Sequence, residues 1–550
     1  MKISRFFIFV ALIFCSQFIF AKDISSEIKK NACPLHREVV SDSKSSKSVL
    51  VDWPDEIWYY QKVTISPQKF TSPFLKYRLN VLPSETEYDN ARIFYVEAAK
   101  KFDEIYNLRL RSFWQSKDYA ELSEKYDYDK IRQLEFKRFP LYSYYGEKNA
   151  TEPITPKDEE DLYKDLKPVY KLLEKGSYSR SYNFSTEKNL SVKKLNILLN
   201  EVQTVREMGR YLHDKADWEI RNGKFDDAIK TIKTGFALGN HVKQTASNGT
   251  FMNVLVGIAI NNVMYSQLFH LVSQPDAPNL YPALTQIYVN YKTATDMING
   301  EQEFLFNQIA KRSVLDNIDN APEEVCKDIF NRLIKVAGDF MDVSYDKYDD
   351  RNDAGRQQSF LSSLACLVSY SPALKRLRDR GLSEEEIKSL SVYQVVTPYI
   401  VASLLQVYDA MSVEMTFDPW ESYDAVKFDD RGTPVYSEYV NPVELLLSQL
   451  VIAVRASKIA VRREVQLLDR IKIVEAVRYY AAVHDGKLPE SLDAIKELPV
   501  PKICPITGKP YNYKVIDGKR IILDFRMGWR GNEEQNNELK PNMRMEIVLE

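Results

Sequence analysis

From Val443 to Val483, Leu446, Leu450 and Val454 lead into Val461, Val465, Leu468, Ile471, Val474, Val477 and Ala481, apolar positions separated mostly by three or four. That spacing predicts one long helix with an apolar stripe along one side. The stripe stops at His484-Asp485-Gly486-Lys487-Leu488-Pro489, where glycine and proline close a helix. Past Pro499-Val500-Pro501 and Pro505-Ile506-Thr507-Gly508-Lys509-Pro510 the period becomes extended, with Tyr511 to Ile516 and Lys519 to Phe525 flanking Asp517-Gly518. This is a two-residue hairpin signal whose central positions are expected at positive φ. Met543 to Leu549 reads as a further strand. The class that fits is mainly α, a multi-helical body followed by a small C-terminal α+β head carrying an antiparallel hairpin.

Outside its stripe the long helix carries Arg455, Lys458, Arg462, Arg463, Arg470, Lys472 and Arg478 against Glu464, Asp469 and Glu475. Such a face is either solvated or rests on an acidic partner or on anionic lipid, so peripheral contact with a membrane is one expectation.

Upstream, residues 22–85 read as an irregular N-terminal arm: Ser41 to Ser48 is a polar tract, and Pro54, Pro67, Pro73 and Pro83 punctuate the rest. Residues 86–441 read as the helical body and 442–550 as the long helix plus head. In the body, Ile93, Val96, Phe102, Ile105 and Leu108 mark one apolar helical face. Leu195, Leu198, Leu199, Val202, Val205, Met208 and Leu212 form another, with Asn222-Gly223-Lys224 as a turn and Phe225, Ile229, Ile232 and Phe236 on the returning helix. This hairpin resembles a single tetratricopeptide unit, without a second copy at a fixed period. Gln244 to Pro275 holds no charged residue; its short apolar centre and its Asn253, Asn261, Asn262, Gln267 and His270 favour a core helix over a membrane span. Gly381 and the Ser383/Glu386 capping box mark another boundary, followed by a core element interrupted at Pro398. Asp418 to Pro442 reads as a connector rich in loops.

Met1 to Ala21 has the layout of a secretory signal: Lys2 and Arg5, an apolar run from Phe6 to Phe20, and Ala21 as a small residue before polar sequence. The expectation is an exported protein of the periplasm or cell envelope. Cleavage after Ala21 leaves 73 Lys and Arg against 77 Asp and Glu, a net charge of −4. That balance gives no footprint for nucleic acid. Cys33, Cys326, Cys366 and Cys504 then remain, without a Cys-x-x-Cys pair that would hold zinc or haem. Cys33 and Cys504, each followed by proline, form one of several open pairings, and free buried thiols are the other possibility.

No catalytic, cofactor or metal site can be named. His36, His213, His241, His270 and His484 are dispersed, and no nucleophile elbow, phosphate loop or dinucleotide fingerprint occurs. His484 beside Asp485 sits where a cation favours a helix end without catalysis. The acidic stretch from Asp342 to Gly355 fails the EF-hand spacing, since the twelfth position from Asp350 is Leu361. Glu207 and Glu219 with Glu301 and Glu303 are the carboxylates that a hydrolase would use as a pair. Trp58-Tyr59-Tyr60 and Tyr142-Ser143-Tyr144-Tyr145 are aromatic clusters suited to core contacts, to a protein interface or to sugar stacking.

Glu475 to Ala482, Gly486 to Pro489, Ser491-Leu492, Leu498 to Pro501 and Pro505 to Pro510 together resemble the C-terminal module of a set of exported proteins of Planctomycetes-type bacteria whose function is not established. Gly381 to Ala425 and Ala228 to Pro282, including Ala277-Pro278-Asn279-Leu280-Tyr281, look like the same proteins. The ending also resembles the globular head of type II secretion pseudopilins, although no Gly-Phe-x-x-x-Glu processing site follows the basic start. The signal segment, the helical hairpin and the lack of a catalytic constellation lead to the expectation of an exported, non-catalytic envelope protein that contacts other proteins as an interaction or scaffolding component. A hydrolase of an envelope polysaccharide or peptide and a secretion-system accessory are the alternatives.

Overall fold

The computed structural model describes residues 59–115, 156–183, 192–244, 251–287, 302, 306, 308–342, 354–416, 427–428, 434–435, 442–526 and 543–550. The expected signal segment, Cys33, the serine tract, Trp58, the 142–145 aromatics, Glu301, Glu303 and the acidic residues 343–353 lie outside the described residues. What is described is mostly helical with a small sheet.

The helices are α1 (Arg92–Trp114), α2 (Pro156–Asp165), α3 (Lys167–Ser177), α4 (Val192–Arg221), α5 (Phe225–Gln244), α6 (Phe251–Val272), α7 (Tyr281–Leu284), α8 (Arg312–Leu315), α9 (Glu323–Asp342), α10 (Ala354–Asp379), α11 (Glu384–Ser389), α12 (Val392–Thr416) and α13 (Pro442–Val483). The strands are β1 (Tyr59–Ile65), β2 (Tyr88–Asn90), β3 (Ser179–Ser181), β4 (Lys427–Phe428), β5 (Pro434–Val435), β6 (Asn512–Asp517), β7 (Arg520–Phe525) and β8 (Met543–Leu549).

Helices α4 and α5 form the expected hairpin. Gly223 takes φ 68° in its turn, a conformation that costs glycine little. Helix α6 lies against both. A Cβ on Gly257 would stand 2.5 Å from the carbonyl oxygen of Gly239, so the α5 and α6 backbones touch only because both residues lack side chains. Among the described residues, Asn253–Val272 is the one helix long and apolar enough to cross a membrane, and 67% of it is buried inside the molecule.

Helix α1 keeps part of its expected face, with Phe102 and Ile105 packed against the core, and departs from it at both ends. Ile93 and Leu108 are exposed, whereas Ala91, Tyr95, Ala98, Ala99 and Tyr106 are buried. Tyr95 turns inward because its ring fills the space left by Gly176 and its hydroxyl meets His241. Around Ser383 the capping box forms as read, with Ser383 N donating to Glu386 at 2.8 Å and Glu386 N to Ser383 Oγ at 3.3 Å. The break before the next core element falls at residues 390–391, not at Pro398, which lies inside α12. One main-chain bond lost to proline is outweighed there by the burial of Val395, Val396, Ile400, Val401 and Leu404.

Helix α13 holds the long stripe: Val461, Val465, Leu468, Ile471, Val474, Val477 and Ala481 are all buried. Over residues 473–478 it is buried on every side, since Ile473, Glu475, Ala476 and Arg478 are each 0% exposed. The charges read from sequence as an outward face therefore divide. Lys458, Arg470 and Arg478 lie inside, because the sheet, α6 and the segment around Ala277 close over a helix that its own spacing presents as one-sided.

The arm expected to be irregular supplies one of these covers. Strand β1 pairs in parallel with β8, from Tyr59 opposite Met543 to Ile65 opposite Leu549, in a sheet of order β1-β8-β7-β6. Prolines before and after β1 hid it, and its partner is far away in sequence. One sheet face carries Ile521, Leu523, Phe525, Met545 and Ile547 into the core. On the other, Arg544 donates two bonds to Asp524 directly opposite, at 2.7 and 2.9 Å, and the Tyr60 hydroxyl bonds Glu546. The β6–β7 turn also differs from expectation. Positive φ is not used at Asp517 or Gly518; instead Asp517 Oδ1 accepts from Lys519 N at 2.9 Å and Oδ2 from Arg520 Nε at 2.8 Å, and the side chain closes the turn.

Candidate functional site

Two groups of polar side chains stand out, one buried at the end of α13 and one half-buried along α4. The first begins with Glu475 and Arg478, one helical turn apart and both 0% exposed. Arg478 Nη1 donates to Glu475 at 2.8 Å, Nη2 to Ala277 O at 2.8 Å and Nε to Ser66 O at 3.2 Å. Glu475 Oε1 in turn accepts from Leu280 N at 2.8 Å. Asn279 Nδ2 donates to Glu475 O at 2.9 Å and to Gln68 O at 3.2 Å, while Gln68 N donates to Arg478 O at 3.1 Å. Phe70 then stacks on Tyr479 with centroids 4.1 Å apart, and the Tyr281 hydroxyl bonds Pro499 O.

Three stretches remote in sequence thus meet at one ion pair: the arm after β1, Ala277 to Tyr281, and α13. Burial pushes the Glu475 carboxyl up and Arg478 opposes the shift. Removing two charges from water costs several kcal/mol per ion, and the carbonyl and amide partners offset that cost only while all three stretches are in place. Sequence reading named most of these residues but not their meeting. A Glu and an Arg three apart on a helix look like an exposed pair, and only the buried neighbours reveal otherwise.

Arg470, two turns earlier, is also buried. Its guanidinium lies between the rings of Phe525 and Phe269, 4.4 and 5.0 Å from their centroids, and bonds Gln61 of β1. Burial lowers it to about 9. Near it Gln466 donates to Cys504 Sγ at 3.2 Å and to Arg526 O at 2.8 Å. Cys326, Cys366 and Cys504 are free thiols.

The second group follows α4. Asp217 accepts from Arg221 Nε at 2.7 Å and faces His270 Nδ1 of α6 at 3.0 Å, and Arg221 also holds Glu159 of α2 at 2.6 Å. Burial would raise the Asp217 carboxyl, but the bonds to His270 and Arg221 hold it down at about 2. One turn earlier Asp214 bonds His213 at 2.9 Å, and there burial prevails and raises the carboxyl. Two carboxylates with opposite shifts on one helix face are an arrangement able to separate acid from base. The spacing 214, 217, 221 was visible in the sequence; His270, on another helix, was not.

The residues weighed from sequence fall elsewhere. Glu207 is exposed on α4. Glu219 is 3% exposed, bonded to Lys215 and accepting from Thr231 Oγ1 at 2.7 Å, so it is spent inside the α4–α5 hairpin. His241 is buried, with Nε2 2.9 Å from Ser179 O and Nδ1 2.8 Å from the Tyr95 hydroxyl. The carbonyl requires a proton on Nε2, and burial lowers this histidine to about 4. His484 stacks on Tyr480 and meets Glu497 at 2.6 Å, not Asp485. Asp485 instead takes φ 53° where the helix closes. Among the described residues no group of three or more His, Cys, Asp or Glu could hold a metal ion.

No family model, curated protein or solved structure matches the chain.

Proposed function

We propose that this is an exported component of the cell envelope that acts without catalysis, as an interaction or scaffolding protein. The observation that supports the reading most is the junction at Glu475 and Arg478. There the buried charge is committed to tying the arm, the central body and α13 together, as suits a rigid body that presents surfaces. The layout of residues 1–21 supports export. The α4–α5 hairpin is read as one tetratricopeptide-like unit, and α13 with β6, β7 and β8 as a pseudopilin-like head; what supports the latter is the order of long helix, Gly486 to Pro489 break and antiparallel strands. A secretion accessory role would use that head.

The test is fractionation of cells producing the full chain, with intact-mass measurement and affinity purification from the envelope. The expected result is a periplasmic or envelope protein that lacks its first 21 residues and retains a reproducible protein partner. A cytosolic chain with Met1 to Ala21 still attached would overturn the export reading, and a partner-free envelope protein would overturn the interaction reading.

A hydrolase reading draws on a separate observation, Asp217 facing His270 Nδ1 at 3.0 Å while Arg221 holds the other side of that carboxylate. A histidine oriented by a carboxylate is suited to general-base work. On this reading His270→Ala lowers hydrolysis of envelope polysaccharide or peptide by about 100-fold or more, as loss of a general base does, while the melting temperature stays close to that of the parent. Equal turnover by parent and variant in such an assay removes the hydrolase reading.

A further inference from the structure

The loop after β1 combines exposed apolar side chains with positive charge. Between residues 57 and 84 the chain has four cations, Lys62, Lys69, Lys76 and Arg78, and no Asp or Glu. At the centre of this stretch Phe74 is 68% exposed and Leu75 39% exposed, next to each other at the surface. Single exposed apolar residues need no explanation, but here they stand together between basic shoulders. The loop is also held in place. Phe74 meets the Phe70 ring edge-on at 5.9 Å, and Phe70 is stacked on Tyr479 at the end of α13. Two of the shoulders have a carboxylate nearby, Lys76 with Asp226 at 3.5 Å and Arg78 with Glu85; Lys69 is exposed.

An apolar tip flanked by cations matches a surface whose outside is anionic and whose inside is hydrocarbon. We infer that the loop from Lys69 to Arg78 is a membrane-contact tip that sets Phe74 and Leu75 into the interface of an anionic lipid bilayer. This assigns membrane contact to a different element from the one the sequence suggested, since Arg470 and Arg478 of the long helix are buried. It does not rest on the envelope reading. Lipid binding is a property of the purified chain, so a negative result leaves the export and partner tests untouched.

The experiment is co-sedimentation of the full chain with vesicles of phosphatidylcholine containing about 30% phosphatidylglycerol, and with phosphatidylcholine alone as control. Binding is expected only to the anionic vesicles, weakened by salt. Phe74→Ser with Leu75→Ser is expected to lower the partition coefficient by about tenfold or more with a melting temperature close to the parent's, because Phe74 is 68% exposed and Leu75 39% exposed. Lys69→Glu, which leaves the apolar tip intact, is expected to weaken binding in the same direction. No sedimentation with anionic vesicles overturns the inference, and so does binding that neither variant reduces. Loss of a protein partner, without any lipid binding, on changing Phe74 and Leu75 would reassign the tip to a protein interface and equally overturn it.

Discussion

Arg478→Ala is expected to destabilise the protein by about 3–5 kcal/mol, the range for removing one partner of a buried pair. The variant leaves Glu475 charged and enclosed, and takes the donors away from Ser66 O and Ala277 O. The cost should depend on pH with a definite sign. Burial already raises the Glu475 carboxyl in the folded protein, and without Arg478 it rises further above its unfolded value. A group raised in this way favours folding below its unfolded pKa, and the contribution is lost as pH rises through the folded pKa. The gap between Arg478→Ala and the parent should therefore be small near about pH 5 and wider near about pH 8. Glu475→Gln in the Arg478→Ala background should recover part of the loss, because the amide is neutral and still accepts from Leu280 N. Denaturant midpoints of the three variants at both pH values check this; a pH-independent gap with no recovery would mean that buried charge is not the source of the cost.

The second large effect concerns β1. Ile65→Asp is expected to cost about 3–5 kcal/mol, since Ile65 is 1% exposed and a carboxylate there has no partner. The strand should also lift away and leave the edge of β8 open, a template for pairing with other chains. Light scattering should then show self-association that the parent lacks. Thr64→Asp, on the opposite face of the same strand and half-buried, should cost far less. A midpoint for Ile65→Asp within about 0.5 kcal/mol of the parent, the range of ordinary surface changes, would show that β1 adds nothing to the fold.

Elements whose evidence is local were legible in the sequence. The α13 stripe, the Gly223 turn, the Ser383 capping box, the buried α6 and the β8 strand all follow from periodicity and terminal chemistry confined to a few turns of chain. What escaped depends on partners distant in sequence. Strand β1 lies between Pro54 and Pro67, and its reason to be extended is the β8 edge that it pairs with. Arg470 looks like a solvated arginine until Phe269 and Phe525 enclose it. On α1 the spacing from Ile93 to Leu108 suggested a core face of which Phe102 and Ile105 keep the contact, while Tyr95, over Gly176, is buried and Ile93 is not. Of the candidate site, Asp214 and Asp217 lay on a readable helix face, while His270 is placed against Asp217 only by the crossing of α6 over α4.

The most direct test of the account is hydrogen exchange on the intact chain, comparing peptides that cover 59–70, 471–478 and 520–525. If the arm is fastened to α13 through Arg478 and to the sheet through β8, its amides should open together with those of α13 and β7, with the same protection and the same loss in Arg478→Ala. Exchange of 59–70 faster by about 100-fold or more than the other two would contradict it, making the arm a loosely attached segment and the buried ion pair a local feature of α13.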